Sequence, residues 1–297
     1  MEIRTDLAHE IRERAVKMAK YGGKDVPGVI FSDRESNGIR SSRIEITDES
    51  GEKELGLGRG VYVTVFFGDM LSLGTKEFNA VCDETARELR GLLPEGRRGP
   101  VLVCGVGNSG ITPDSVGPLS VSSVAVTHAL KKNRPRLYEK LGLGDVSCIA
   151  PGVTAQTGID AAEIVRGAAD ACSAETVIAV DALCAADVSR LGRTVQLSSV
   201  GLSPGSGIGG GSEELSLKTV GRRVIGIGVP TIADVATVAG HGGKSWIPEE
   251  TRELLRGLFI CPQDIDRLAL RLATMCAYSI NKAINPDMTY EEMAELL

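Results

Sequence analysis

Two hydrophobic periods run along this chain of 297 residues. Short runs such as VLVCGV, TVIAV and VIGIGV are apolar throughout, which is typical of strands that are covered on both faces. Longer stretches repeat apolar residues every three or four positions, which indicates amphipathic helices. The predicted strands are residues 42–47, 61–67, 100–104, 146–150, 176–180, 194–199 and 223–229. The predicted helices are residues 6–21, 75–93, 113–131, 159–170, 183–190, 230–239, 262–284 and 289–297.

This order of elements predicts the α/β fold class. Strands that alternate with helices form a mostly parallel, twisted sheet with helices on both faces. There is no internal repeat and no clean linker, so we expect a single domain. The least regular regions are residues 22–60 and 201–213. The second, GLSPGSGIGGGSE, is a loop rich in Gly and Ser, and its length suggests a functional role.

Composition narrows the class of protein. No apolar stretch is long enough to cross a bilayer and the N-terminus lacks a signal-peptide core, so we expect a cytoplasmic protein without a membrane partner. The seven cysteines include no CxxC pair, which disfavours a disulfide framework or a zinc ribbon. The net charge of −6 disfavours direct nucleic-acid binding. The basic cluster at residues 131–136 is more simply a solvated helix end than a phosphate site.

A glycine motif follows the first uniformly apolar strand. Residues 101–118 read VLVCGVGNSGITPDSVGP and contain the spacing Gly105-x-Gly107-x-x-Gly110 of a dinucleotide-binding loop. In such a site the loop runs directly into a helix, and an acidic residue follows about twenty residues later. Here Pro113 suits the start of a later helix, and no acid follows at that distance. We interpret the glycines as a tight turn that brings Asp114 over the strand ends.

Three other motif matches each lack a group that the motif requires. Ser203 lies in a G-x-S-x-G pattern, but the next residue, Pro204, has no N–H to serve as an oxyanion donor. Residues 243–245 end like a phosphate-binding loop, but the required first glycine is Val238. The HEIRE segment at residues 9–13 has Glu13 where a zinc motif has histidine.

Two aspartates remain as candidates for catalysis. Asp181 ends the apolar run TVIAV, where a carboxylate is costly unless it is paired, bound or at a cleft. Asp114 lies in the first turn of the helix predicted after the strand VLVCGV, where helix N-terminal electrostatics explain an aspartate equally well. Both should face the crevice at the carboxyl ends of the strands. If they approach closely, one keeps a proton, and the pair supplies an acid and a base.

A metal site is the alternative arrangement for the two carboxylates. If they lie farther apart they could hold a divalent cation together with histidines, but none of the three histidines has metal-ligand spacing. These are His9, His128 and His241. Cys104 and Cys184 lie near the same strand ends, and we interpret them as buried small hydrophobic residues rather than nucleophiles.

Five segments occur in order over about residues 100–237: GVGNSGITPDSVGP, CIAPGVTAQTGID, VIAVDALCAADV, VQLSSVGLSPGSGIG and VIGIGVPTIADV. Together they resemble the germination protease family. Members are endopeptidases of spore-forming bacteria that degrade small acid-soluble spore proteins during germination. The resemblance implies an α/β fold similar to that of hydrogenase-maturation proteases. It also implies catalytic roles for Asp114 and Asp181, and no required metal or organic cofactor.

The same resemblance implies self-processing. Family cleavage sites have the form Thr-Glu, an aromatic or aliphatic residue, Ala, any residue and Glu, and residues 5–10, TDLAHE, fit it. We therefore expect a zymogen that cleaves itself between Asp6 and Leu7. Residues 1–6 would be the propeptide and residues 7–297 a single peptidase domain. A homotetramer in the cytoplasm of the forespore or in the spore core is further implied, with small acid-soluble spore proteins as substrate.

The chain departs from the family pattern at two places. Residues 199–203 are SVGLS where the family has Asp-Thr-Gly-Ile-His, and Asp187 stands where Arg is usual. These departures put substrate specificity or rate in question. Two alternatives remain: a metal-recognising endopeptidase of the hydrogenase-maturation type, whose motif is similar to residues 105–117, and a non-enzymatic nucleotide-binding module.

Overall fold

A mixed sheet organises the fold. The computed structural model describes residues 4–17, 25–94, 99–206, 213–241 and 248–295. Within these ranges nine strands form one sheet in the order β1-β2-β3-β7-β8-β6-β4-β5, and β9 pairs with β8. The strands are β1 (Val29–Ser36), β2 (Ile39–Ile46), β3 (Gly60–Phe66), β4 (Val101–Val106), β5 (Val146–Gly152), β6 (Thr176–Ala185), β7 (Thr194–Ser198), β8 (Arg223–Asp234) and β9 (Phe259–Ile260).

The α/β class is confirmed, and the sheet has two halves. Strands β5, β4, β6 and β8 are parallel, as the alternation of strands and helices predicts. Strands β7, β3, β2 and β1 extend the sheet in antiparallel pairing, so the parallel part covers only half of it. The antiparallel half includes a hairpin of β1 and β2, which pair over their whole length because a two-residue connection joins them.

Helices cover both faces of the sheet. They are α1 (Ala8–Lys17), α2 (Glu49–Leu55), α3 (Thr75–Leu92), α4 (Val116–Val121), α5 (His128–Asn133), α6 (Pro135–Leu141), α7 (Thr154–Thr157), α8 (Ala161–Ala171), α9 (Leu217–Val220), α10 (Val235–His241), α11 (Glu249–Leu255), α12 (Ile265–Ile284) and α13 (Tyr290–Glu295). The core on one face is built by α3, α4 and α12, and the core on the other by α8 and α9. Helices α1 and α2 pack with the antiparallel half.

Several predicted elements need correction. The sequence pattern predicts a helix at residues 183–190, but β6 continues to Ala185 because those residues pair with β8. The predicted helix at 230–239 begins only at Val235, since β8 runs through Asp234. The predicted helix at 113–131 is divided between a 3₁₀ turn at Thr112–Asp114, α4 and α5. The supposedly irregular residues 22–60 contain β1, β2 and α2. No helix in the described ranges is long and apolar enough to span a membrane.

Candidate active site

The glycines after β4 permit close packing at the strand ends. A Cβ on Gly105 would lie 2.1 Å from the carbonyl oxygen of Gly117, and one on Gly117 would lie 2.5 Å from that of Val180 in β6. Gly107 has a φ of +122°, and a Cβ there would lie 2.1 Å from the Asp114 carbonyl oxygen. Only glycine tolerates such approaches. The spacing therefore serves helix–strand packing and the placement of Asp114.

Asp114 lies in the 3₁₀ turn between β4 and α4 and is half-buried. The backbone N–H of Asn108 donates to its Oδ2 at 2.7 Å. The Asn108 side chain is itself fixed, because its Oδ1 accepts from the Gly110 N–H at 2.8 Å and from Gln156 Nε2 at 2.7 Å. Burial raises the pKa of Asp114, and the hydrogen bond from Asn108 partly opposes the shift.

Asp181 lies in β6, and only 3% of it is exposed. The N–H of Ala182 donates to its Oδ1 at 2.8 Å. Burial raises the pKa of Asp181 well above its usual range, and the negative charges of Asp114 and Asp6 raise it further. The structure thus brings the two predicted aspartates into one electrostatic environment. Of the two, Asp181 is the more deeply buried and has the pKa that is raised well above its usual range, so its neutral form is the more strongly favoured.

The N-terminal segment lies against the same strand ends. The N–H of Asp6 donates to the Cys184 carbonyl oxygen at 2.9 Å, and the N–H of Cys184 returns a hydrogen bond to Asp6 Oδ2 at 2.8 Å. Ser206 Oγ donates to Asp6 Oδ1 at 2.5 Å. Arg4 continues the contact through its N–H, which donates to Thr237 Oγ1 at 3.2 Å. Residues 4–6 therefore lie in a groove, and Cys184, three residues after Asp181, forms part of its wall.

The two residues after Asp6 are anchored more deeply. The Leu7 side chain is 1% exposed and packs in a small apolar cluster. The Gln196 side chain in β7 contacts the backbone on either side of Leu7: its Nε2 donates to the Asp6 carbonyl oxygen at 3.0 Å, and its Oε1 accepts from the Ala8 N–H at 2.6 Å. The other members of the cluster are Leu183, Ala185 and Leu191. The peptide bond expected to be cleaved thus lies within a hydrogen-bonded frame.

Glu10, the last residue of the cleavage pattern, is also held by hydrogen bonds. Its carboxylate accepts hydrogen bonds from the N–H groups of Ala186 at 2.8 Å and Asp187 at 3.0 Å, and from the hydroxyl of Thr5. Burial raises the pKa of Glu10, and these three donors oppose the shift. Because the backbone supplies two of the donors, this contact does not depend on the side chain at position 187, where the chain departs from the family pattern.

A cleft of about 1130 Å³ extends from the bound segment. Its lining includes residues 4–6, Gln196, Gly228 and residues 198–203. The described part of the Gly- and Ser-rich loop, residues 201–206, therefore borders the groove, while residues 207–212 lie outside the described ranges.

The other sequence candidates have structural roles or lie elsewhere. His128 Nδ1 and Lys131 Nζ lie 2.9 and 2.7 Å from the Asp145 carboxylate oxygens, so Lys131 of the basic cluster is paired with Asp145. His9 is buried with its ring edge-to-face to Phe66. Burial raises the pKa of Cys184 to about 12, which keeps this thiol protonated. The His241 side chain and residues 243–245 lie outside the described parts of the chain.

Two further points about the site concern possible metal ligands and the residues that the sequence analysis did not identify. Among the described residues, no three His, Cys, Asp or Glu side chains are grouped as a metal site. The sequence analysis missed Gln196 and the N–H groups of residues 184–187. Backbone donors leave no trace in a sequence, but Gln196 does, because it interrupts the apolar strand TVQLS in the way that Asp181 follows TVIAV.

Fold and site together define an α/β protein in which a buried and a half-buried carboxyl group, Asp181 and Asp114, influence each other where β4 ends beside β6. Comparison with known proteins gives the family. Residues 6–245 match the family model of germination proteases. The chain therefore belongs to the germination protease family and is a protease.

Relatives and one solved structure extend the comparison. A germination protease of Caldanaerobacter subterraneus subsp. tengcongensis is 33% identical over 99% of this chain and 98% of its own. One from Geobacillus sp. is 38% identical over 86% of this chain and 70% of its own, and one from Clostridium tetani is 30% identical over the full length of both. The NiFe hydrogenase maturation protease HycI from Thermococcus kodakarensis KOD1 has a TM-score of 0.37, with 20% identity, over 65% of this chain and 98% of its own.

Proposed function

We propose that this protease is an aspartic-type endopeptidase, made as a zymogen that removes its own residues 1–6 and then starts the degradation of small acid-soluble spore proteins during germination. One observation carries the proposal. The segment that fits the family cleavage pattern, residues 5–10, lies in the groove beside Asp181, and Asp6 is near enough to raise the pKa of Asp181. The expected scissile bond and the expected acid therefore share one site.

The two carboxyl groups have different roles, one as the acid and the other as the base. Asp181 holds a proton because it is buried and faces the charges of Asp114 and Asp6. Asp114, which accepts a hydrogen bond and is only half-buried, is the ionised base. It takes a proton from water as the water oxygen attacks the Asp6 carbonyl carbon. Asp181 gives its proton to the Leu7 nitrogen as the C–N bond breaks, and a proton passing from Asp114 to Asp181 restores the pair.

The bound segment supplies a template for substrates in trans. Once cleavage has freed the new N-terminus at Leu7, residues 7–10 leave these contacts to a substrate: an acidic side chain then takes the place of Asp6 on the Cys184 N–H, and an apolar one the place of Leu7. The small Ala8 is completely buried, and a second acid would take the place of Glu10 on the N–H groups of residues 186 and 187. These contacts fit the spacing acid, apolar, small, any, acid. A homotetramer in the forespore or spore core is part of the proposal.

The experiment is digestion of a purified small acid-soluble spore protein by the full chain and by Asp114→Asn and Asp181→Asn. Loss of either acid–base partner should lower kcat by about 10²–10⁴-fold. Asp266→Asn, at an exposed position in α12, is the matched control and should retain full activity. A fully active Asp181→Asn enzyme would refute the mechanism. Activity that survives a chelator excludes the metal-recognising alternative, and activity that requires added metal would favour it.

A further inference from the structure

Gln196 occupies a special place in the sheet. It pairs with Gly228 of β8, and Gly228 pairs on its other side with Asp181 of β6. Gln196, Gly228 and Asp181 therefore form one row across three strands, with about 10 Å between the outer Cα atoms from two strand spacings. The neighbours Val195 and Leu197 pack in the core with Val180, so Gln196 and Asp181 both face the opposite side of the sheet.

The middle of this row carries no side chain. A Cβ on Gly228 would lie 2.3 Å from the Leu183 side chain, so only glycine leaves room for Leu183 there. Leu183 in turn packs with Leu7. The space over Gly228 is therefore filled by Leu183, and the bound segment reaches this row through its contacts with Leu183 and Gln196.

The Gln196 amide makes the two hydrogen bonds to the bound backbone that a neighbouring β-strand would make. Its Nε2 donates to the Asp6 carbonyl oxygen at 3.0 Å and its Oε1 accepts from the Ala8 N–H at 2.6 Å. Only 7% of Gln196 is exposed, so these bonds form away from bulk water. The acceptor bond positions the chain beyond the scissile bond, whereas the donor bond contacts the oxygen of the carbonyl group that reacts.

We infer that Gln196 is the oxyanion donor of this protease, a role that rests on the proposed function. When water attacks the Asp6 carbonyl carbon, the π electron pair moves onto the oxygen that Nε2–H contacts. A buried hydrogen bond to that oxygen strengthens as the negative charge develops, and loss of one such donor typically costs about 10²–10³-fold in kcat. The electron pair returns to form the carbonyl as the bond to the Leu7 nitrogen breaks.

The test uses self-processing of the full chain. Gln196→Glu keeps the length of the side chain and an acceptor for the Ala8 N–H, but its carboxylate cannot donate. Gln196→Met keeps the volume and loses both bonds. The first-order rate of release of residues 1–6 is followed by mass spectrometry, and docking is followed by amide hydrogen exchange at Cys184. Gln263→Glu, an exposed site before α12, is the charge-matched control.

We expect Gln196→Glu to slow self-processing by about 10²–10³-fold while Cys184 stays protected. Its rate relative to wild type should rise on acidification, because the introduced carboxyl group can donate again once it is protonated. A rate within threefold of wild type for both variants, with Asp181→Asn inactive, overturns this inference and leaves the proposed function standing. If the self-processing rate and the protection of the Cys184 N–H fall by the same factor, the inference is also overturned, because Gln196 then only holds the segment in place. An active Asp181→Asn chain refutes the proposed function itself.

Discussion

Leu7→Ala should loosen the bound N-terminal segment without unfolding the protein. The Leu7 side chain is 1% exposed and contacts Leu183, Ala185 and Leu191, which form a cluster apart from the main core. The substitution is made in a chain that also carries Asp181→Asn, so that the bond after Asp6 stays intact during the measurement.

The expected magnitude follows from the buried carbon atoms. Leu→Ala removes three carbons, and each buried CH₂ contributes about 0.8 kcal/mol, so the docked state should lose about 2.4 kcal/mol. Since about 1.4 kcal/mol corresponds to a factor of ten, the equilibrium constant for opening should rise about 50-fold. A cavity left at the Leu7 position would add to this loss, so about 50-fold is the lower bound of the expected rise.

Amide hydrogen exchange measures this opening directly. The N–H groups of Cys184 and Ala186 donate to Asp6 and Glu10, so both are released when the segment leaves the groove. Under conditions of fast reclosing, their exchange rates report the opening equilibrium. We expect both to exchange at least about 50-fold faster in the Leu7→Ala chain.

Leu270→Ala is the matched control for this experiment. Leu270 is exposed on α12, so its truncation removes the same three carbon atoms without removing them from a buried apolar cluster. Exchange at Cys184 and Ala186 should stay unchanged in that variant. A rise of less than threefold in the Leu7→Ala chain would refute the reasoning, because it would mean that Leu7 does not hold the segment in place.

Two further predictions concern stability. Burial raises the folded-state pKa of Asp181 above the usual 3.8, so the stability tied to its protonation is present below that value and is lost as pH rises through the folded pKa. Asp181→Asn should therefore melt at a higher temperature than wild type, with a gap that widens as pH rises above about 4; an equal gap at all pH values would contradict this. Gly107→Ala should destabilise by at least about 2 kcal/mol in denaturant unfolding, because its Cβ would lie 2.1 Å from the Asp114 carbonyl oxygen. Gly91→Ala, a helical site with open space, should be neutral or stabilising, and equal effects at the two glycines would refute the packing argument.

The parallel half of the sheet could be predicted because its signal is strong and local. Uniformly apolar strands followed by helices indicate a doubly covered sheet. A carboxylate directly after such an apolar run is costly to bury, which singles out Asp181. The predicted strand at residues 42–47 corresponds to β2, but β1 and the hairpin turn were not predicted, although the turn is visible in the sequence. Asn37 and Gly38 both have positive φ, as two-residue hairpin turns require, and Asn-Gly is the usual pair.

The extension of β6 was hidden by local propensity. Three of the four residues after Asp181, Ala182, Leu183 and Ala185, are good helix formers, yet pairing with β8 keeps the segment extended through Ala185. This extension creates the groove, since the N–H groups of Cys184 and Ala186 hold the N-terminal segment. Contacts between residues so distant in the chain depend on tertiary pairing, which single-sequence patterns do not encode.

Self-cleavage tests the central claim most directly. The full chain is purified, incubated and followed by intact-mass and N-terminal mass spectrometry, with Asp114→Asn and Asp181→Asn in parallel and Asp266→Asn as control. We predict that the wild-type and control chains lose residues 1–6 and begin at Leu7, while the two site variants keep their full mass. Cleavage of the Asp181→Asn chain after Asp6 at the wild-type rate would contradict the account.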